Sequence, residues 1–181
     1  MLIKTSSAAA FEIVSKPFIG AIDPKKNSKE YSTVLFTAKS SILPKADDDQ
    51  LVVGGAGEYE KQEVFTFAFP AFADRDDLAF LFEQDNRSVL VLPAVAMNLA
   101  PSVTDQAGGI DVLVIPVDKK TDPKDLKTLV EKIDPRVVLL SGGDAELSKK
   151  AGLPTEAESV SEFDTDKGVF QEEKTNVVLM G

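Results

Sequence analysis

The stretch VLVIPVDKKTDPKDLKTLVEKIDPRVVLL, residues 112–140, decides the fold class. It opens on Val112-Leu113-Val114-Ile115, an apolar run without interruption, as in a strand covered on both faces. Thr121-Asp122-Pro123 then signals a helix start. Asp122 is placed to cap it, and Pro123 brings the fixed φ of a first turn. Leu126, Leu129, Val130 and Ile133 recur at helical spacing, and Asp134-Pro135 ends the helix. Val137-Val138-Leu139-Leu140 is a second continuous apolar run. Strand, helix and strand in this order predict a parallel pair, and with it an α/β protein.

Upstream, the strand signals are short and many. Residues 2–4, 11–14, 17–22, 33–37 and 51–53 each carry one. Residues 64–69 alternate, with Val64 and Thr66 on one face and Phe65, Phe67 and Phe69 on the other. Two apolar runs, 78–82 and 89–92, flank Asp85-Asn86-Arg87 and read as a hairpin. Downstream, a short helix is expected over 145–151, stopped by Gly152 and Pro154. Strands around Val160 and Val169 are faint, and one at 176–179 is clearer. The period-two spacing of Phe65, Phe67, Phe69, Phe80 and Phe82 predicts packing between sheets rather than a ligand pocket. Neither a repeat nor a Pro/Gly/Ser-rich linker divides the chain, so residues 1–181 are expected to form one domain. Many strands with a late βαβ unit suggest two sheets flanked by helices.

Composition narrows the chemistry. A chain of 181 residues can bury about 70% of its unfolded-state surface, so it needs no staple. Cysteine is absent, which excludes disulfides, thiolate metal sites and cysteine nucleophiles. Histidine is absent too. It is the commonest zinc ligand and the commonest general base near neutral pH, so the usual zinc site cannot be built. Carboxylate sites for hard cations remain open. The net charge of −10 argues against nucleic acid and anionic membranes as partners. No apolar run has the length of a membrane span. The opening MLIKTSSAAAFEIVSK is not expected to act as a signal peptide, because Glu12 breaks its apolar stretch. A soluble, cytoplasmic protein is the expectation.

The run LVVGGAGEYEKQEV, residues 51–64, resembles the Gly-Pro-Gly-Glu-Tyr-Glu segment of small metallo-β-lactamase-fold hydrolases, the sugar-lactonase-like branch. Other segments fall in that family's order. Phe11-Glu12-Ile13 is similar to the end of its first hairpin, and Ile22-Asp23-Pro24 to the Asp-Pro of its next strand. Residues 109–117, GIDVLVIPV, resemble a later family strand. Ile133-Asp134-Pro135-Arg136-Val137-Val138 is similar to the helix end and strand before its last metal-binding histidine. The resemblance runs over nearly the whole chain. It implies a four-layer α/β/β/α sandwich.

The family holds two zinc ions with a Ser-His-x-His-x-Asp-His motif, an early Gly-His, a later Asp and a final His. The resemblance aligns these ligands with Ala8, Ala38, Ser40, Ile42, Leu43, Ala94 and Gly142. None of these residues is a zinc ligand. The resemblance therefore implies the fold while speaking against the family's activity. The expectation is a metal-free, cofactor-free relative without catalytic residues, acting through binding or self-assembly, with a second copy or another protein as partner. The alternative is a hydrolase with a remodelled, non-zinc site, drawn from Asp23, Lys39, Ser40, Glu58, Asp74 and Asp144. It requires several of these to converge in one cleft.

Other features have plainer explanations. Lys39 and Ser40 lack any supporting motif for a nucleophile and base, and read as a solvated loop. Gly54-Gly55-Ala56-Gly57 lacks the Gly-Lys-Ser/Thr of a phosphate loop and reads as a turn, with Glu58 and Tyr59 in structural hydrogen bonds. Asp47-Asp48-Asp49 and Asp74, Asp76 and Asp77 lack calcium-loop spacing and read as charged surface loops.

Overall fold

The computed structural model describes residues 1–7, 9–38, 46, 48–106, 109–143, 145–153, 155–167 and 175–181. In chain order the strands are β1 (Leu2–Ser7), β2 (Ala10–Ser15), β3 (Phe18–Ile22), β4 (Thr33–Leu35), β5 (Leu51–Val53), β6 (Gly57–Lys61) and β7 (Val64–Pro70). β8 (Leu78–Gln84), β9 (Arg87–Val91) and a single helical turn α1 (Pro101–Thr104) follow. The second part holds β10 (Val112–Pro116), α2 (Pro123–Ile133), β11 (Val137–Ser141), α3 (Ala145–Lys150), β12 (Thr155–Val160), β13 (Glu162–Asp164) and β14 (Asn176–Met180).

Two mixed sheets result. Sheet A runs β13-β1-β2-β3-β4-β5, and sheet B runs β12-β14-β11-β10-β9-β8-β7-β6. The 112–140 unit folds as its sequence predicts. β10 and β11 pair in parallel, with Val112 beside Val137 and Ile115 beside Leu140. Asp122 caps α2 by accepting the Lys124 N–H at 2.7 Å. Asp134 closes the helix in the left-handed region at φ 52°, donating its N–H to the Val130 carbonyl at 2.8 Å.

The unbroken apolar runs have a direct cause. β10 and β11 serve two cores at once. Val112, Val114, Val137 and Leu139 face sheet A, where Ile3, Ile13, Phe18, Phe80 and Phe82 are also buried. Leu113, Ile115, Val138 and Leu140 face the other way, onto Leu126, Leu129, Val130 and Ile133 of α2. Burying each such side chain contributes about 1.5–3 kcal/mol. Phe18 and Phe82 meet edge to face between the sheets, with ring centroids 6.5 Å apart. All three helices among the described residues lie on the sheet B side, so sheets outweigh helices.

Three expectations need correction. Of the five phenylalanines expected between the sheets, only Phe80 and Phe82 are there. Val64 and Ala68 hold the inward positions of β7, so the alternation turns Phe65, Phe67 and Phe69 outward. The turn read at Gly54 to Gly57 bends at Gly55 and Ala56, and Gly57, its expected last residue, already opens strand β6. That strand pairs antiparallel with β7 through Gln62-Glu63, both at positive φ. The α1 turn was not expected, since four residues carry no periodic signal. The hairpin at Asp85-Asn86 is as predicted, with both residues at positive φ, as its tight turn requires. The faint strand at Val169 lies outside the described residues. Among the described residues no helix is long and apolar enough to cross a membrane.

Candidate functional site

One end of the sandwich collects the carboxyl ends of β1, β3 and β4 from sheet A and of β9, β10 and β11 from sheet B, as the pairing directions dictate. In open α/β sheets, ligand crevices form at such ends. Two contacts bring the sheets together there. The Leu78 N–H, at the start of β8, donates to the Thr37 carbonyl at 2.7 Å. The hydroxyls of Thr5 and Ser141 share a hydrogen bond of 3.2 Å.

Asp23, just past β3, organises this end. It sits at φ 46°, a left-handed conformation that Asp tolerates better than most residues. Its carboxylate accepts the Thr37 backbone N–H at 3.0 Å and the Thr37 hydroxyl. Burial raises its pKa above the ordinary 3.8, the two bonds from Thr37 oppose that, and the charge of Asp77 adds to it. Asp77 is itself paired to Arg75 at 3.5 Å, whose guanidinium lies 4.0 Å over the Phe72 ring. Asp23 therefore fixes the exit of β4 against that of β3.

The residues aligned with the family's ligands follow these same strand ends. Ala38 comes after β4 and is exposed. Ala94 comes after β9 and is half-buried against the outer core. Gly142 directly follows β11, exposed and at φ 77°. Ala8, Ser40, Ile42 and Leu43 lie outside the described residues. Ala38, Ala94 and Gly142 offer no side-chain donor atom. Among the described residues no three Asp or Glu side chains converge to hold a metal ion. The donor set does not fit a zinc pair, which needs three or four ligands per ion.

A recess of about 420 Å³ opens beside Gly142 and Gly143 at the starts of α2 and α3. Three of its charged groups are engaged locally. Lys150 pairs with Glu146 at 2.7 Å, and the Asp118 carboxylate accepts the Lys120 N–H at 2.8 Å.

Three candidates for a remodelled hydrolytic site are described, and each stands on a different element: Asp23 past β3, Glu58 on β6 and Asp74 past β7. Asp23 is occupied by Thr37. Glu58 is exposed on β6, and Asp74 is exposed in the loop after β7. No hydrogen bond or ion pair joins these three described residues. Lys39, Ser40 and Asp144 lie outside the described residues, as does Asp47; Asp48 and Asp49 are exposed. Of the glycine-rich turn, Tyr59 makes the expected structural bond, donating to the Gly55 carbonyl at 3.2 Å. Glu58 makes none among the described residues.

Sequence reasoning missed one polar network, at the opposite end of sheet B. Asp111 accepts the Ser88 N–H at 3.0 Å and pairs with Arg136 at 3.2 Å. The Ser88 hydroxyl donates to the Gly109 carbonyl at 2.7 Å, and the Asp111 N–H donates to that same hydroxyl at 2.9 Å. The only hint was an acid before an apolar strand, which many strands share.

Comparison with known proteins fits this geometry. The family model of the Beta-lactamase superfamily domain matches residues 22–140. No curated protein matches the sequence. Among solved structures, the chain is similar to one described as a Zn-dependent hydrolase of the metallo-β-lactamase superfamily from Thermotoga maritima. That match has a TM-score of 0.76 at 18% identity and covers 99% of this chain and 98% of the other. The metallo-β-lactamase fold protein YhfI from Bacillus subtilis matches with a TM-score of 0.63 at 7% identity, over 99% and 97%. A metallo hydrolase from the archaeon Ignicoccus hospitalis matches at 0.59 and 12% identity, over 90% and 98%.

Proposed function

Because the chain belongs to the Beta-lactamase superfamily and has the metallo-β-lactamase fold, yet contains neither histidine nor cysteine, we propose that it is a metal-free, non-catalytic relative of that family's hydrolases. One observation carries this reading: no position aligned with a family ligand holds a zinc-binding side chain. Without imidazole or thiolate, a zinc pair would have to rest on carboxylates alone. The Asp23 carboxylate is engaged with Thr37, the residue before Ala38.

Fold alone does not fix function, and without a zinc site the surface is what this scaffold offers. The protein works by binding another protein or a second copy of itself, in the cytoplasm, without nucleic acid. Metal analysis of protein purified without chelators tests this. The expected content is below about 0.1 zinc per chain, against one or two for a loaded site. Stoichiometric zinc, or hydrolysis abolished by EDTA, would refute it.

A further inference from the structure

One corner of sheet B is built differently from the rest of its outer face. Phe67 and Phe69 lean on the outer core and are half-buried, whereas Phe65 is 47% exposed. The register sets exposed Glu60 beside Phe65 on one side and exposed Glu83 on the other. Exposed Glu58 stands beside Phe67. A cleft of about 600 Å³ adjoins Phe65, with Glu63, Glu83 and Asp85 on its walls and Arg87 among them. β6 is the last strand of sheet B, paired with a strand on the β7 side alone among the described residues.

An edge strand with unpaired backbone groups is a template for a further strand. The charges on this edge select what can occupy it. A second copy added edge to edge would bring Glu58 and Glu60 against their own equivalents, and like charges across strands are destabilising. The chain's net charge of −10 adds to that repulsion. Lys61 does not relieve it, since it pairs with inward-facing Val64 and so lies on the other face. A strand with arginine or lysine at alternate positions inverts the sign of each contact. Residues two apart share a face, so two basic side chains meet Glu58 and Glu60 together. Their stems cover apolar surface, and their cationic ends reach the Phe65 ring.

We propose that the β6 edge and the adjoining Phe65 face dock an extended basic segment of a partner protein, which adds to sheet B as a further strand. This names a partner class for the binding role given above and rests on that reading for its use in the cell.

The test uses fluorescence anisotropy with a labelled peptide alternating arginine and valine, and a second of the same composition with its arginines contiguous. The alternating peptide should bind at least about tenfold tighter, or about 1.4 kcal/mol. Phe65→Ser and Glu60→Lys should each weaken it at least about tenfold, whereas Glu162→Lys on β13 should change it less than about twofold. Circular dichroism checks that the variants fold, and Glu60→Lys, at an exposed site, keeps the test decisive if Phe65→Ser does not. Equal binding of the two peptides, or equal loss in Glu162→Lys, overturns the proposal in favour of general charge attraction. A dimer in light scattering that depends on Phe65 overturns it in favour of a second copy. Either failure leaves the metal-free reading untouched, because zinc content decides that separately.

Discussion

The carboxylate of Asp23 receives both polar hydrogens of Thr37, the backbone N–H at 3.0 Å on one oxygen and the hydroxyl on the other. This joins two strand exits at the end that carries Ala38, Ala94 and Gly142. Asp23→Ala should leave the half-buried Thr37 N–H unpaired, at about 1–3 kcal/mol. It also places alanine at φ 46°, which costs about 1 kcal/mol more. Asn can accept the N–H, donate to the hydroxyl and keep the left-handed conformation. Urea unfolding should therefore show Asp23→Ala losing about 2–4 kcal/mol and Asp23→Asn losing less than about 1 kcal/mol.

The same pair predicts a pH dependence. Burial, assisted by Asp77, lifts the folded-state pKa of Asp23 above 3.8. The folded protein then binds this proton more tightly than the unfolded chain. Stability from this group is highest below the unfolded value and falls as pH rises through the folded one. Asp23→Asn lacks that titration. The unfolding free energy of the Asn variant relative to wild type should rise from about pH 4 upward and then level off. A difference that is flat with pH, or that falls, would contradict the assigned direction.

At the other end of sheet B, Asp111 and Arg136 form an ion pair with unequal partners. The Arg136 side chain is 60% exposed and that of Asp111 12%. Arg136→Ala should cost less than about 1 kcal/mol, as for surface pairs. Asp111→Ala should cost about 2–4 kcal/mol, because the Ser88 N–H loses its acceptor in a buried setting. Paired denaturation curves measure the ratio, and a larger loss for Arg136→Ala would reverse the assignment.

Close packing between the sheets predicts the effect of filling a gap. A Cβ at Gly20 would lie 2.8 Å from the tip of the Phe18 ring and 3.6 Å from Phe82. Phe18 is fully buried, so its ring has no free space to swing into. Gly20→Ala should destabilise by about 1–3 kcal/mol. Pairing it with Phe18→Leu should recover part of that loss, which a thermal melt of the double variant reads directly.

The legible parts of this sequence are those where one local rule decides. The βαβ unit is plain because two strands buried on both faces and a capped amphipathic helix each carry an unmistakable pattern. The missing metal ligands are plain because no alignment slip can supply histidine to a chain that has none. The face taken by Phe65, Phe67 and Phe69 was not legible. Alternation separates the two faces of β7, but which one meets sheet A depends on strands far away in sequence. The clamp on Thr37 escaped for a related reason. Asp23 and Thr37 are 14 residues apart, and only the parallel pairing of β3 with β4 brings them together.

Metal addition and removal test the donor set on energetic grounds. A ligand that binds only the folded state at 100 times its dissociation constant stabilises by about 2.7 kcal/mol. In a chain of this length that moves the melting midpoint by roughly 5–10 °C. The side chains of Ala38 and Ala94 give zinc nothing to bind, and Gly142 has none to give. Neither about 100 μM zinc nor excess EDTA should therefore shift the midpoint by more than about 1 °C. A stabilisation of several degrees by zinc, reversed by EDTA, would mean that carboxylates assemble a site this donor set does not supply. Parallel scans with magnesium and calcium separate the two hard cations from zinc, since oxygen-only sites favour them.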